Sequence, residues 1–102
     1  MNRSYLLLLF FIAACASTRN FLPTSAALPE MQKKVDGITL EKANEGYALY
    51  KTKCATCHSL YPPSEFTERR WEKIFVEMYP KAKIIREDEK KLIHDYVIAL
   101  SK

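Results

Sequence analysis

The sequence predicts an all-α domain built on three main helices, and three observations predict it. From residue 40 onward, apolar residues recur at helical spacing in three separate stretches. Each stretch carries a helix-end signal: Thr39 and Thr67 as N-caps, Pro80 as a stop, and an acidic Glu87-Asp88-Glu89 start. No stretch alternates apolar and polar residues convincingly enough to read as a strand.

The first helix is predicted from about Leu40 to Thr52, with Glu41 in its first turn. Ala43, Gly46, Tyr47 and Tyr50 define one face. Glycine inside a helix costs about 1 kcal/mol relative to alanine. Gly46 therefore needs a packing reason, and the expected one is a second helix crossing close by. Residues 59–66 contain Pro62-Pro63 and read as loop.

The second helix is predicted from about Glu68 to Met78 or Tyr79, because the residue before a proline is pushed out of the helical region. Trp71, Ile74, Phe75 and Met78 share one face of roughly 100°. The third helix is predicted from about Arg86 to Leu100, with Leu92, Ile93, Tyr96, Val97 and Leu100 as its apolar stripe. Ile84-Ile85 precedes this helix and offers no side-chain cap, which leaves its start open.

These helices fall within residues 37–102, and a domain of roughly 65 residues buries little surface and usually needs a staple or a cofactor. The expected core is aromatic for its size: Tyr47, Tyr50, Phe66, Trp71, Phe75 and Tyr96. Such a core suits something large and flat at its centre.

Residues 1–14 have the layout of a secretory signal: a basic start at Arg3, an apolar run from Tyr5 to Ile12, then Ala13-Ala14. The run is shorter than the ~20 apolar residues of a membrane span. An uncleaved anchor or a buried helix is the competing reading. Ile12-Ala13-Ala14-Cys15 resembles the bacterial lipobox, which implies lipidation of Cys15. Ala16-Ser17-Thr18 holds no acidic residue, and this leans toward the outer membrane. Residues 15–36 are rich in Ser, Thr, Ala and Pro and read as a lipidated flexible tether.

The formal charge of +4 falls to +3 without Arg3. From Asp36 onward twelve Lys+Arg face eleven Asp+Glu, so the domain is near neutral. This argues against a nucleic-acid partner, which needs a basic face. With Cys15 set aside, Cys54 and Cys57 are one close pair and not a disulfide scaffold.

Three chemistries compete for Cys54-Ala55-Thr56-Cys57-His58. A structural zinc site needs four ligands, usually with a second close pair, and His94 is the only other histidine. A thioredoxin-like dithiol belongs in a βαβ setting. Covalent haem attachment needs two thiols at this spacing and a following histidine to ligate the iron. The last reading is preferred, with one haem c held through Cys54 and Cys57 and with His58 as proximal ligand.

The segment from Gly46 through Tyr50 to Cys54-Ala55-Thr56-Cys57-His58 resembles the start of a class I c-type cytochrome. The glycine precedes the aromatic by four residues, and the aromatic precedes the first cysteine by four. Tyr96 resembles the family's aromatic in the C-terminal helix, which implies that it packs at Gly46. The likeness runs from about Gly37 to Ser101.

The family typically uses a methionine as sixth ligand. Met31 precedes the domain, so Met78 is the expected distal ligand; core packing is its bland role. His94 is the rival, although its helical position sets it about 130° from the apolar stripe, where a solvated histidine is expected. A carbonyl of Pro62 or Pro63 is a candidate acceptor for the second ring nitrogen of His58. Trp71, Tyr61 and Arg70 are weaker candidates for contacts to haem propionates; core packing and solvated charge are preferred for them.

The expected function is a membrane-tethered periplasmic electron carrier, not an enzyme, with transient redox-protein partners. Two alternatives stand beside it. One is a haem peroxidase or gas sensor with a labile sixth ligand. The other is a small haem subunit of a larger oxidoreductase.

Overall fold

The computed structural model describes residues 21–54 and 59–102. The expected signal segment, Cys15, Cys57 and His58 lie outside the described residues. The described chain is all-α: α1 (Leu28–Lys34), α2 (Leu40–Cys54), a 3-10 turn (Pro63–Glu65), α3 (Glu68–Lys81) and α4 (Glu87–Ala99). None of these helices is long and apolar enough to cross a membrane.

α2 begins where the sequence predicts, with Thr39 Oγ1 accepting from the Lys42 amide at 3.1 Å. It runs one turn-half further than expected and carries the first motif cysteine as its last residue. Ala43, Gly46 and Tyr50 are buried along it. A β-carbon at Gly46 would lie 2.2 Å from the Leu92 carbonyl oxygen and 2.5 Å from Tyr96 Cβ, so α2 and α4 touch there backbone to backbone. Only a residue without a side chain permits that approach.

Pro80 does not end α3 at Tyr79, contrary to the sequence expectation; the helix continues to Lys81. Pro80 has no amide to donate, but the helical turn across it is still closed by the Ala82 amide, which donates to the Met78 carbonyl at 2.8 Å. The end is made instead by a left-handed residue, Lys83, at φ 58°. The Lys83 amide donates to the Pro80 carbonyl at 3.1 Å and the Ile84 amide to the Tyr79 carbonyl at 3.0 Å. This is the Schellman pattern, and it folds Ile84 back into the core at 3 % exposure. α4 starts after Arg86 without a side-chain cap, with three acids in its first turn.

The flexible tether expected up to residue 36 does not hold for residues 21–36. Met31 on α1 is 1 % exposed and packs with Ile38, Ala43 and Ala99. Burying such a side chain contributes about 1.5–3 kcal/mol toward holding this segment on the domain. Lys34 Nζ donates to the Ser101 carbonyl, to Ser101 Oγ at 3.2 Å and to the Lys102 carbonyl at 3.2 Å. Tyr96 donates its hydroxyl to the Phe21 carbonyl. This N-terminal layer explains why Ile98 and Ala99, off the predicted stripe, are buried beside Ile93, Tyr96 and Val97.

Candidate functional site

The site grows from the end of α2 and the inward face of α3. Cys54 closes α2 and is half-buried. Ser59 is the first described residue after the motif, and hydrogen bonds pin the loop that it begins. Tyr50 donates its hydroxyl to the Tyr61 carbonyl at 2.5 Å. The Trp71 indole donates to the Pro63 carbonyl at 2.8 Å. The Glu65 amide donates to the Pro62 carbonyl at 2.9 Å, closing the 3-10 turn. Each of the two proline carbonyls offered as a candidate acceptor for His58 already takes one hydrogen bond and keeps a second lone pair. The Trp71 indole is likewise committed within the fold.

Between the loop, α2 and α3 lies a cavity of about 210 Å³. Cys54 and Met78 both line it, and Tyr50, Phe66, Trp71, Ile74, Phe75, Tyr79 and Ile84 make most of the rest. The rings are mutually packed. Trp71 stacks on Phe75 with centroids 5.7 Å apart, and Phe75 on Tyr79 at 5.3 Å. Phe66 and Tyr50 meet Trp71 edge-on at 5.3 and 6.3 Å. Burial drives the Tyr50 and Tyr79 phenols well above their usual range, so both stay neutral donors. The Tyr79 hydroxyl donates to the Lys90 carbonyl at 3.3 Å.

These residues fit a flat apolar group with a metal at its centre. The cavity is walled by aromatic and aliphatic carbon, with Cys54 offering a thiol for covalent attachment and Met78 a thioether as a soft metal donor. Tyr79, Ala82 and Ile84 are wall residues that sequence reasoning missed. The Schellman turn brings the last two back to the cavity, and no glycine marked it in the sequence.

His94 does not line this cavity. Its Nε2 lies 2.6 Å from Glu72 Oε1 and its Nδ1 3.2 Å from Asp95 Oδ1, which ties α4 to α3 on the outer side of Phe75. Both partners are acceptors, so this geometry favours the doubly protonated, cationic imidazole. Partial burial disfavours that charge, but the hydrogen bonds to Glu72 and Asp95 outweigh it and raise the His94 pKa. Charge at the cavity comes from Lys53, Arg70 and Glu77. Glu77 is paired with Lys81 at 3.0 Å, and Lys53 stands 4.0 Å from Glu89.

The family model described as dihaem cytochrome c matches residues 50–102. That stretch takes in the C-x-x-C-H motif, the loop, α3 and α4. No curated protein and no solved structure matches the chain.

Proposed function

Because the chain belongs to the dihaem cytochrome c family, we propose that it is a periplasmic electron-transfer protein carrying one covalent haem c. The observation that carries this reading is that Cys54 and Met78 line one aromatic cavity. When bound, the haem would supply one-electron redox chemistry at its iron. Cys54 and Cys57 would hold it as thioethers, His58 would be the proximal ligand and Met78 the distal one. A methionine in that role closes the sixth position, which favours a carrier over a peroxidase or gas sensor. The stacked wall of Trp71, Phe75 and Tyr79 would keep the surroundings of a bound haem apolar, one of the means by which a protein sets a haem potential. Tyr61, half exposed on the cavity lining, offers part of a small surface for transient docking of a redox partner.

The family description names two haems. These 102 residues contain one C-x-x-C-H, and Cys15 has neither a cysteine three residues on nor a histidine after it. That count supports one haem held by these residues. The lipid anchor at Cys15 and attachment to a bacterial membrane, the outer one favoured, belong to the same reading. With residues 21–36 folded onto the domain, only residues 16–20 would separate the lipid from the protein. They span at most about 3.5 Å each, so the domain would sit against the membrane.

The test is spectroscopic. Expressed with haem-attachment machinery, the protein is expected to show sharp low-spin bands and a weak far-red sulfur-to-iron band that Met78→Ala abolishes. His94→Ala is expected to leave both in place. Low-spin bands indifferent to Met78→Ala would move the sixth ligand elsewhere, and a high-spin spectrum would favour the enzyme reading. Mass spectrometry of the holoprotein counts the haems.

A further inference from the structure

A haem placed in this cavity brings two propionate carboxylates, and these need partners. The side-chain donors of the cavity wall are almost all committed. Tyr50, Trp71 and Tyr79 each donate to a backbone carbonyl. Glu77 is an acid already paired with Lys81, and Lys53 stands beside Glu89. Arg70 differs. It lines the cavity, it is exposed, and its guanidinium has no ion pair or hydrogen bond among the described residues. It shares the cavity side of α3 with Ile74, Glu77 and Met78. Eight residues of helix set its Cα about 12 Å along the axis from that of Met78.

We propose that the Arg70 guanidinium is the counter-ion of a haem propionate at the mouth of this cavity. The proposal rests on the haem reading above and deepens it. Arginine presents a planar fork of donors that meets both oxygens of a carboxylate, and it remains charged at every working pH. An exposed mouth suits the propionates, since the apolar ring enters the aromatic interior while the carboxylates stay near water. A fixed cation there favours the reduced metal and keeps the propionate ionised.

The test compares the haem-loaded wild type with Arg70→Gln, Arg70→Lys and Arg69→Gln. Arg69 is an exposed neighbour of the same charge that is not part of the cavity. The readout is the midpoint potential as a function of pH. Arg70→Gln is expected to lower the reduced-to-oxidised ratio at fixed ambient potential by about threefold to tenfold, tenfold being about 59 mV for one electron. The inflection of the potential with pH is expected to move upward as the propionate loses its partner. Arg70→Lys is expected to retain most of both properties, and Arg69→Gln to change neither. Covalent haem with an unchanged potential and pH profile in Arg70→Gln overturns this assignment alone. An equal shift in Arg69→Gln also overturns it, because the effect is then diffuse charge. Absence of covalent haem from the wild type overturns the haem reading and this inference with it.

Discussion

Gly46 and Tyr96 meet so closely that a β-carbon at residue 46 would stand 2.5 Å from Tyr96 Cβ. That contact fixes the crossing of α2 and α4, and α2 carries Cys54 at its end.

Gly46→Ala is therefore expected to destabilise the fold despite alanine's better helix propensity. The helix gains about 1 kcal/mol from the propensity change. The Leu92 carbonyl 2.2 Å away is backbone and cannot turn aside, so α2 must shift. Overpacking of this kind costs about 1–3 kcal/mol or more. Chemical denaturation is expected to show a lower midpoint, and the yield of covalently haem-loaded protein is expected to fall.

Trp71→Phe keeps a ring in the stack but removes the donor to the buried Pro63 carbonyl. A buried acceptor left without its partner costs about 1–3 kcal/mol. The loop after the motif loses one of its pins, so hydrogen exchange at residues 64–66 is expected to speed up along with the loss in stability.

Lys83→Gly is expected to stabilise the protein by about 1 kcal/mol, measured by denaturation. Lys83 holds a left-handed backbone that costs a side-chain-bearing residue roughly this much, and glycine adopts it freely.

His94 predicts a pH dependence. Its folded-state pKa is raised by Glu72 and Asp95, with Lys91 competing for Asp95 at 2.7 Å. The stabilisation is then fully present below the unfolded histidine pKa of about 6.5 and is lost as pH rises through the higher folded value. The pair is partly exposed, so the effect is modest, about 0.2–1 kcal/mol. Stability measured against pH is expected to fall across that window in the wild type and to flatten in His94→Gln.

The local signals were legible because they depend on near neighbours. Thr39 and Thr67 cap the helices that they were expected to cap, at 3.1 and 3.3 Å. The α3 face of Trp71, Ile74, Phe75 and Met78 was read from spacing alone, and all four line the cavity. Pro80 misled because the rule for prolines carries no knowledge of the turn that follows. Residues 21–36 misled because their composition is that of a linker, while Met31, Lys34 and Phe21 find their partners more than sixty residues away at Ala99, Ser101 and Tyr96.

By itself the sequence determined the all-α class and the need for a close crossing at Gly46, and it offered Cys54, Cys57 and His58 as a haem-attachment motif. These follow from helical periodicity, ligand spacing and the absence of a side chain, all of which are written in short stretches of chain. Tertiary structure alone decided that the N-terminal segment belongs to the domain and that His94 pairs with Glu72 of α3. It also decided that Trp71 spends its donor on a carbonyl while Arg70 keeps its own beside the cavity. Those outcomes depend on which groups distant in sequence are brought within hydrogen-bonding reach, and only the packed helices set that.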